Sequence, residues 1–168
     1  MPEPKFDIKG LKTFKAHEGM PGYSCTLIIN GKKACEVFED CMGGGLQYTW
    51  IDVSLEPILK EAAAKLPPYP AKDGMPEIRR DADSLIEDLV NDILEKKEDA
   101  KMAKKWSTQI MFKVPEQHRN GQYGIWKVPP TAEWKKKLKD KHPSAIFLDE
   151  HPNDWREIVC PKPKQSPQ

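Results

Sequence analysis

Asn30-Gly31 lies between two runs of β-favouring residues, Tyr23 to Ile29 and Lys33 to Phe38. A two-residue type I′ turn needs positive φ at both central positions, and Asn-Gly meets that demand best. The pair therefore predicts an antiparallel hairpin early in the chain. Flanking strands are expected at Phe6 to Leu11 and at Leu46 to Asp52, with Gly19-Met20-Pro21-Gly22 and Met42-Gly43-Gly44-Gly45 as loops between strand ends.

Helical signals follow. Ser54 is placed to cap a short helix running to about Lys65, with Pro57 in its first turn, where a missing N–H does no harm. Leu66-Pro67-Pro68-Tyr69-Pro70 stops it. From about Glu77 to Lys105 one long helix is expected, because Ile78, Ala82, Leu85, Ile86, Leu89, Ile93 and Leu94 keep three- and four-residue spacing and so share one face. Thr108 to Val114 and Gln122 to Val128 then read as a hairpin around Glu116 to Gly121. A lysine-rich helix begins at Thr131 and stops at Pro143, and Ala145 to Leu148 is a last strand. Strands, then helices, then strands predict an α+β fold: an N-terminal antiparallel sheet, one long amphipathic helix packed on it, and a C-terminal hairpin with a short helix and final strand. Residues 1–160 are read as a single domain and 161–168 as a disordered tail.

The chain of 168 residues is long enough to bury a core without disulfides. With 38% apolar and 32% charged residues it is polar for a globular protein, yet too rich in Trp, Leu and Ile for disorder. Cys25, Cys35, Cys41 and Cys160 form no C-x-x-C pair and are read as reduced, buried thiols. Met1 to Lys5 lacks a basic stretch followed by an apolar one, and no run approaches the roughly 20 apolar residues of a membrane span, so the expectation is a cytoplasmic protein. Net charge is +1, but it is segregated: acids crowd Glu77 to Asp99 and lysines dominate Lys96 to Lys141.

Several candidate sites emerge. Gly43, Gly44 and Gly45 suggest a phosphate loop, but no Gly-Lys-Ser/Thr and no helix follows, which favours a bulged turn. Gln47, Tyr48 and Trp50 beside it bring stacking faces and hydrogen-bonding groups, chemistry that suits a nucleotide. His17 and Glu18 offer a base and a carboxylate in a glycine-bearing loop, and Tyr23 is a further aromatic anchor. Lys135, Lys136, Lys137, Lys139 and Lys141, with Lys104, Lys105 and Arg119, form a phosphate-contacting set near Trp106, Trp126 and Trp134. Against this, helical lysine runs usually solvate a face, and scarce arginine disfavours base readout. Isolated histidines and unclustered cysteines argue against a metal site, and no cofactor is expected. The acids of Glu77 to Asp99 leave room for a local face that meets a basic partner.

Leu11-Lys12-Thr13-Phe14, His17-Glu18-Gly19, Ser24-Cys25-Thr26-Leu27, Asn30-Gly31-Lys32-Lys33 and the stretch from Asp40 to Trp50 resemble a loose family of small proteins carried by tailed phages and prophages. The resemblance covers the first third of the chain and implies no catalytic residue. It implies an accessory protein made in an infected bacterium, of a class in which antagonists of host defence are common. Three function classes follow: a non-enzymatic binder of a host protein or of a nucleotide second messenger, a nucleic-acid-binding accessory protein using the lysine-rich region, and a small nucleotide-acting enzyme. Strand edges left open by the expected sheets also point to a homodimer.

Overall fold

The computed structural model describes residues 3–15, 21–70 and 76–161. His17, Glu18 and the tail beyond 161 fall outside them. The fold is α+β, and the chain divides into two compact units, Met1–Glu95 and Lys96–Gln168.

In the first unit β1 (Phe6–Lys15), β2 (Pro21–Ile29), β3 (Lys32–Glu39) and β4 (Gln47–Trp50) form a four-stranded antiparallel sheet in that order. Asn30 and Gly31 both take positive φ, 52° and 80°, as a type I′ turn requires. Between Lys9 and Lys12 the register of β1 on β2 shifts, and Gly10 there has φ 64°. That bulge reverses which face of the sheet the rest of β1 presents. One face carries Ile8, Tyr23, Cys25, Leu27, Ile29, Cys35 and Val37, which pack with Leu55, Leu59, Ile86 and Val90 in a single core. Full burial of each Leu, Ile or Val contributes about 1.5–3 kcal/mol, so this face holds the unit together.

Leu59 lies on α1 (Glu56–Ala64), and Ile86 and Val90 lie on the first half of α2 (Ala82–Trp106). The helix starts differ from those expected. Asp52, not Ser54, caps the turn before α1: its carboxylate accepts from the Ser54 backbone N–H at 3.1 Å and the Ser54 hydroxyl at 2.5 Å. α2 begins five residues later than the periodicity indicated, because Asp81 and Ser84 close a reciprocal cap, with Ser84 N on Asp81 Oδ1 at 3.0 Å and Asp81 N on Ser84 Oγ at 3.4 Å. Ile78, assigned to the helix face, is instead exposed and bridges Tyr69.

In the second unit β5 (Ile110–Lys113) is the centre of a three-stranded antiparallel sheet, flanked by β6 (Gly124–Trp126) and β7 (Ile146–Phe147). Thr131 caps α3 (Ala132–Lys141), as its hydroxyl in that position suggested. After β7 comes α4 (Trp155–Val159), which the sequence reading left unassigned; Trp155 and Val159 enter a core with Met102, Met111 and Leu148. Lys113, only 4% exposed, donates from Nζ to the carbonyls of Arg119 (2.6 Å), Gln122 (3.0 Å) and Val159 (3.0 Å). All three ammonium donors are thus used, which is what makes burying the charge tolerable.

The four cysteines are free, but only Cys25 and Cys35 are buried; Cys41 is half-buried and Cys160 exposed, which corrects the expectation for both. Burial, then neighbouring Glu36, pushes the Cys25 thiol up to about 11, and burial with Cys25 and Glu36 does the same for Cys35. Neither is a thiolate at neutral pH.

Candidate functional site

Asp83, in the first turn of α2, holds β4 in place. Its Oδ2 accepts the Leu46 backbone N–H at 2.9 Å and its Oδ1 accepts the Tyr48 hydroxyl at 2.5 Å. Burial and then this hydrogen bond raise the Tyr48 phenol well above its ordinary range. Alternation along β4 turns Tyr48 and Trp50 toward the core, with their rings stacked at 5.9 Å, and leaves Gln47 and Thr49 exposed.

The triple glycine has a structural account at two of its three positions. Gly43 has φ 83°, a region that disfavours any side chain. At Gly45 a Cβ would sit 2.8 Å from Asp83 Oδ2, so the bare backbone is what lets the carboxylate approach. Gly44 faces open space. Beside them the chain's own carboxylates take up backbone donors: Glu39 accepts Cys41 N at 2.6 Å, Asp40 accepts Met42 N at 2.9 Å, and Asp40 also holds Gln47 Nε2 at 3.0 Å. A phosphate approaching this loop would meet anions where a phosphate cradle presents free N–H groups.

Carboxylates are therefore gathered at this end of the sheet. Glu39, Asp40, Asp81, Asp83 and Glu87 collect there, and among the described residues none of the five takes part in an ion pair. Partial burial, then Asp83, Glu39 and Asp81, raise the Glu87 carboxyl above its ordinary value; because Glu87 is exposed, solvent screening keeps the energetic consequence small. Tyr23 is paired with Glu39 in the β2–β3 register, and its hydroxyl, sealed from solvent, has no hydrogen-bond partner. Burial is the main cause of its raised phenol pKa, to which the charges of Glu87, Glu39 and Asp83 add.

Of the set read in the sequence, Tyr23, Tyr48 and Trp50 pack into the core, while Gln47 is exposed on the other side of β4 and Gly43, Gly44 and Gly45 form the loop before it, so the set does not converge on one surface; the structure adds the carboxylates beside that loop. It also shows an apolar rim that sequence reasoning missed. On the face of the sheet away from the core, Phe14 of β1 and Phe38 of β3 stack at 5.5 Å, 37% and 39% exposed. They meet across Gly22 of β2, where a Cβ would lie 2.5 Å from Phe14 Cε2. Met42, in the loop after β3, is 65% exposed.

Three members of the lysine set of the second unit, Lys135, Lys137 and Lys139, are engaged internally. Lys135 is held between Asp149 (2.6 Å) and Glu150 (2.8 Å), Lys137 pairs with Glu133 (2.7 Å) and lies over the Trp134 ring, and Lys139 reaches the Pro143 carbonyl at 3.3 Å. Lys104, Lys105, Arg119, Lys136 and Lys141 are exposed. Trp126 and Trp134 meet edge to face at 5.5 Å and pack on the core of Ile110, Val114 and Leu138, while Trp106 packs on that of Met102 and Met111. The tryptophans serve the cores more than they offer stacking surface to a ligand.

No three His, Cys, Asp or Glu side chains among the described residues are grouped so that they could hold a metal ion. None of the described helices is long and apolar enough to cross a membrane. Comparison with family models, with curated proteins and with solved structures finds no match to this chain.

Proposed function

We propose that this chain is a non-enzymatic binding protein that antagonises a bacterial host protein by covering a basic surface of it with the acidic end of the first sheet. The observation that carries this reading is the gathering of Glu39, Asp40, Asp81, Asp83 and Glu87 without a single ion pair to any of them among the described residues. Like charges brought together raise the energy of the free protein, and a basic partner relieves that repulsion while speeding its own encounter. Phe14 and Phe38, exposed on the opposite face of the same sheet, and Met42 in the loop after β3 offer apolar area that charges alone do not provide.

Sequestration of a nucleotide is the less favoured form of the same idea, because the loop meant to receive its phosphates is lined by carboxylates. Pairing of two copies through the free edge of β1 is disfavoured by the bulge at Gly10 and by Lys9, Lys12 and Lys15, features that discourage strand addition.

The test is capture of host protein on the full chain, comparing wild type with Asp40→Lys/Glu87→Lys at 50 and 300 mM salt. The expected result is a stoichiometric partner with a basic surface, lost both at high salt and on the double reversal. A partner retained equally by the reversal variant, or one lost only when Lys136 and Lys141 are reversed, would overturn the reading.

A further inference from the structure

Between the end of α1 and the start of α2 the first unit carries a cavity of about 480 Å³, a size usual for small-molecule sites. Its described lining comes from two stretches of chain: Ala64, Leu66 and Pro68, then Glu77, Arg79 and Arg80. Tyr69 and Ile78 tie the stretches together by exchanging both backbone hydrogen bonds, Tyr69 N to Ile78 O at 3.0 Å and Ile78 N to Tyr69 O at 3.3 Å.

The three charged groups on this wall are not equivalent. Arg80 is committed within the fold: its side chain is 11% exposed, it pairs with Asp88, and its guanidinium lies 4.8 Å from the centre of the Tyr69 ring. Glu77 and Arg79 are exposed, and neither makes a hydrogen bond or ion pair with any described residue. Only Ile78 separates them, yet they do not pair with each other. Extended backbone advances about 3.3 Å per residue, so residues two apart share a face with their side chains starting about 7 Å apart. One carboxylate and one guanidinium thus border the same cavity, each with its hydrogen-bonding capacity unused.

Charge balance narrows the ligand. With Arg80 answered by Asp88, the wall offers one free negative and one free positive group. A nucleotide or other polyanion meets Glu77 with too few cations to answer it, and a polyamine meets Arg79. A zwitterion satisfies both, since an ammonium donates to Glu77 while a carboxylate accepts two N–H groups from the fork of Arg79. Ala64, Leu66 and Pro68 leave apolar surface for a side chain to cover.

We propose that this cavity binds a free α-amino acid with an aliphatic side chain: Glu77 receives the ammonium, Arg79 the carboxylate, and Leu66 with Pro68 the side chain. The site uses no residue of the acidic end and stands independently of the function proposed above.

The experiment is calorimetric titration of the full chain with L-leucine, leucinamide, 4-methylpentanoate and glycine. L-leucine is expected to bind with a Kd of about 1 mM or tighter. Leucinamide, which lacks the carboxylate, 4-methylpentanoate, which lacks the ammonium, and glycine, which lacks the side chain, should each bind about fivefold more weakly, the upper end for an exposed charge pair. Arg79→Met should abolish the preference for leucine over leucinamide, and Glu77→Gln the preference over 4-methylpentanoate, while Asp92→Asn, an exposed carboxylate elsewhere on α2, leaves both preferences intact. This matching of each variant to one lost ligand group is a result that a merely structural role would not give. Absence of saturable leucine binding would overturn the site. Equal affinity for leucine and 4-methylpentanoate, or preferences that survive in both variants, would overturn it as well.

Discussion

The Tyr48 hydroxyl donates to Asp83 Oδ1 at 2.5 Å, joining the edge strand β4 to the first turn of α2. The same carboxylate takes the Leu46 N–H, so one side chain fixes both the backbone and the ring of the short strand that follows the glycine loop. Tyr48→Phe should cost about 1.5–3 kcal/mol, the range for a hydrogen bond to a charged group. Denaturant titration checks this, and a change below about 0.5 kcal/mol would show that the clamp is not closed in solution.

Gly22→Ala tests the aromatic pair on the open face. The new methyl would meet not only Phe14, which can turn aside, but also the Glu39 carbonyl oxygen at 2.6 Å, which belongs to the β3 backbone. A loss of about 1–3 kcal/mol is expected from such overpacking, measurable by thermal unfolding.

Lys113 should be intolerant of any apolar substitute. Lys113→Met leaves the carbonyls of Arg119, Gln122 and Val159 without that donor and should destabilise the second unit by about 2–4 kcal/mol. Arginine should not rescue it, because a planar fork cannot replace a compact ammonium aimed at three carbonyls. Hydrogen exchange at the Gly121 amide, which donates to Val159 O, gives a local readout.

His118 makes the second unit sensitive to acid. Its Nδ1 accepts the Val114 N–H at 3.0 Å, which only the neutral ring can do. Burial, then Lys113 and His142, lower its folded-state pKa below the ordinary 6.5. The stability contributed is present above the unfolded value and is lost as pH falls through the lowered folded value. Melting temperature should therefore fall between pH 7 and pH 5, and the fall should be smaller in His118→Gln.

Glu87→Gln separates stability from binding. Its raised folded-state pKa means that ionised Glu87 opposes folding: the stability linked to it is full below the unfolded value and is lost as pH rises through the folded one. Removing the charge should raise stability slightly at neutral pH, by no more than about 0.5 kcal/mol at so exposed a position. Partner affinity should drop at the same time. A variant that folds better and binds worse marks a residue kept for function.

What could be read from the sequence follows how local the chemistry is. Asn30-Gly31 specified its own turn, and Thr131 its own helix cap, because donor, acceptor and backbone angle lie within a few residues. The Asp83 clamp joins residues 35 and 37 positions apart, which no spacing rule reaches. Phe14 was harder still: by simple alternation it shares a face with Phe6 and Ile8, and only the bulge at Gly10 turns it outward to meet Phe38. α4 has five residues, too few for a helical period to stand out. Gly43 has the unusual backbone expected of the glycine loop, but besides the neighbouring Glu39 and Asp40 its carboxylate surroundings include Asp83, remote in sequence, which could not be read from Gly43 to Trp50 alone.

The most direct measurement is hydrogen exchange by mass spectrometry on the full chain, with and without the partner recovered in the proposed capture experiment. The acidic-end account predicts new protection over residues 37–50 and 80–88, with residues 132–141 unchanged. Protection confined to 132–141 would contradict it and assign binding to the lysine-bearing helix instead.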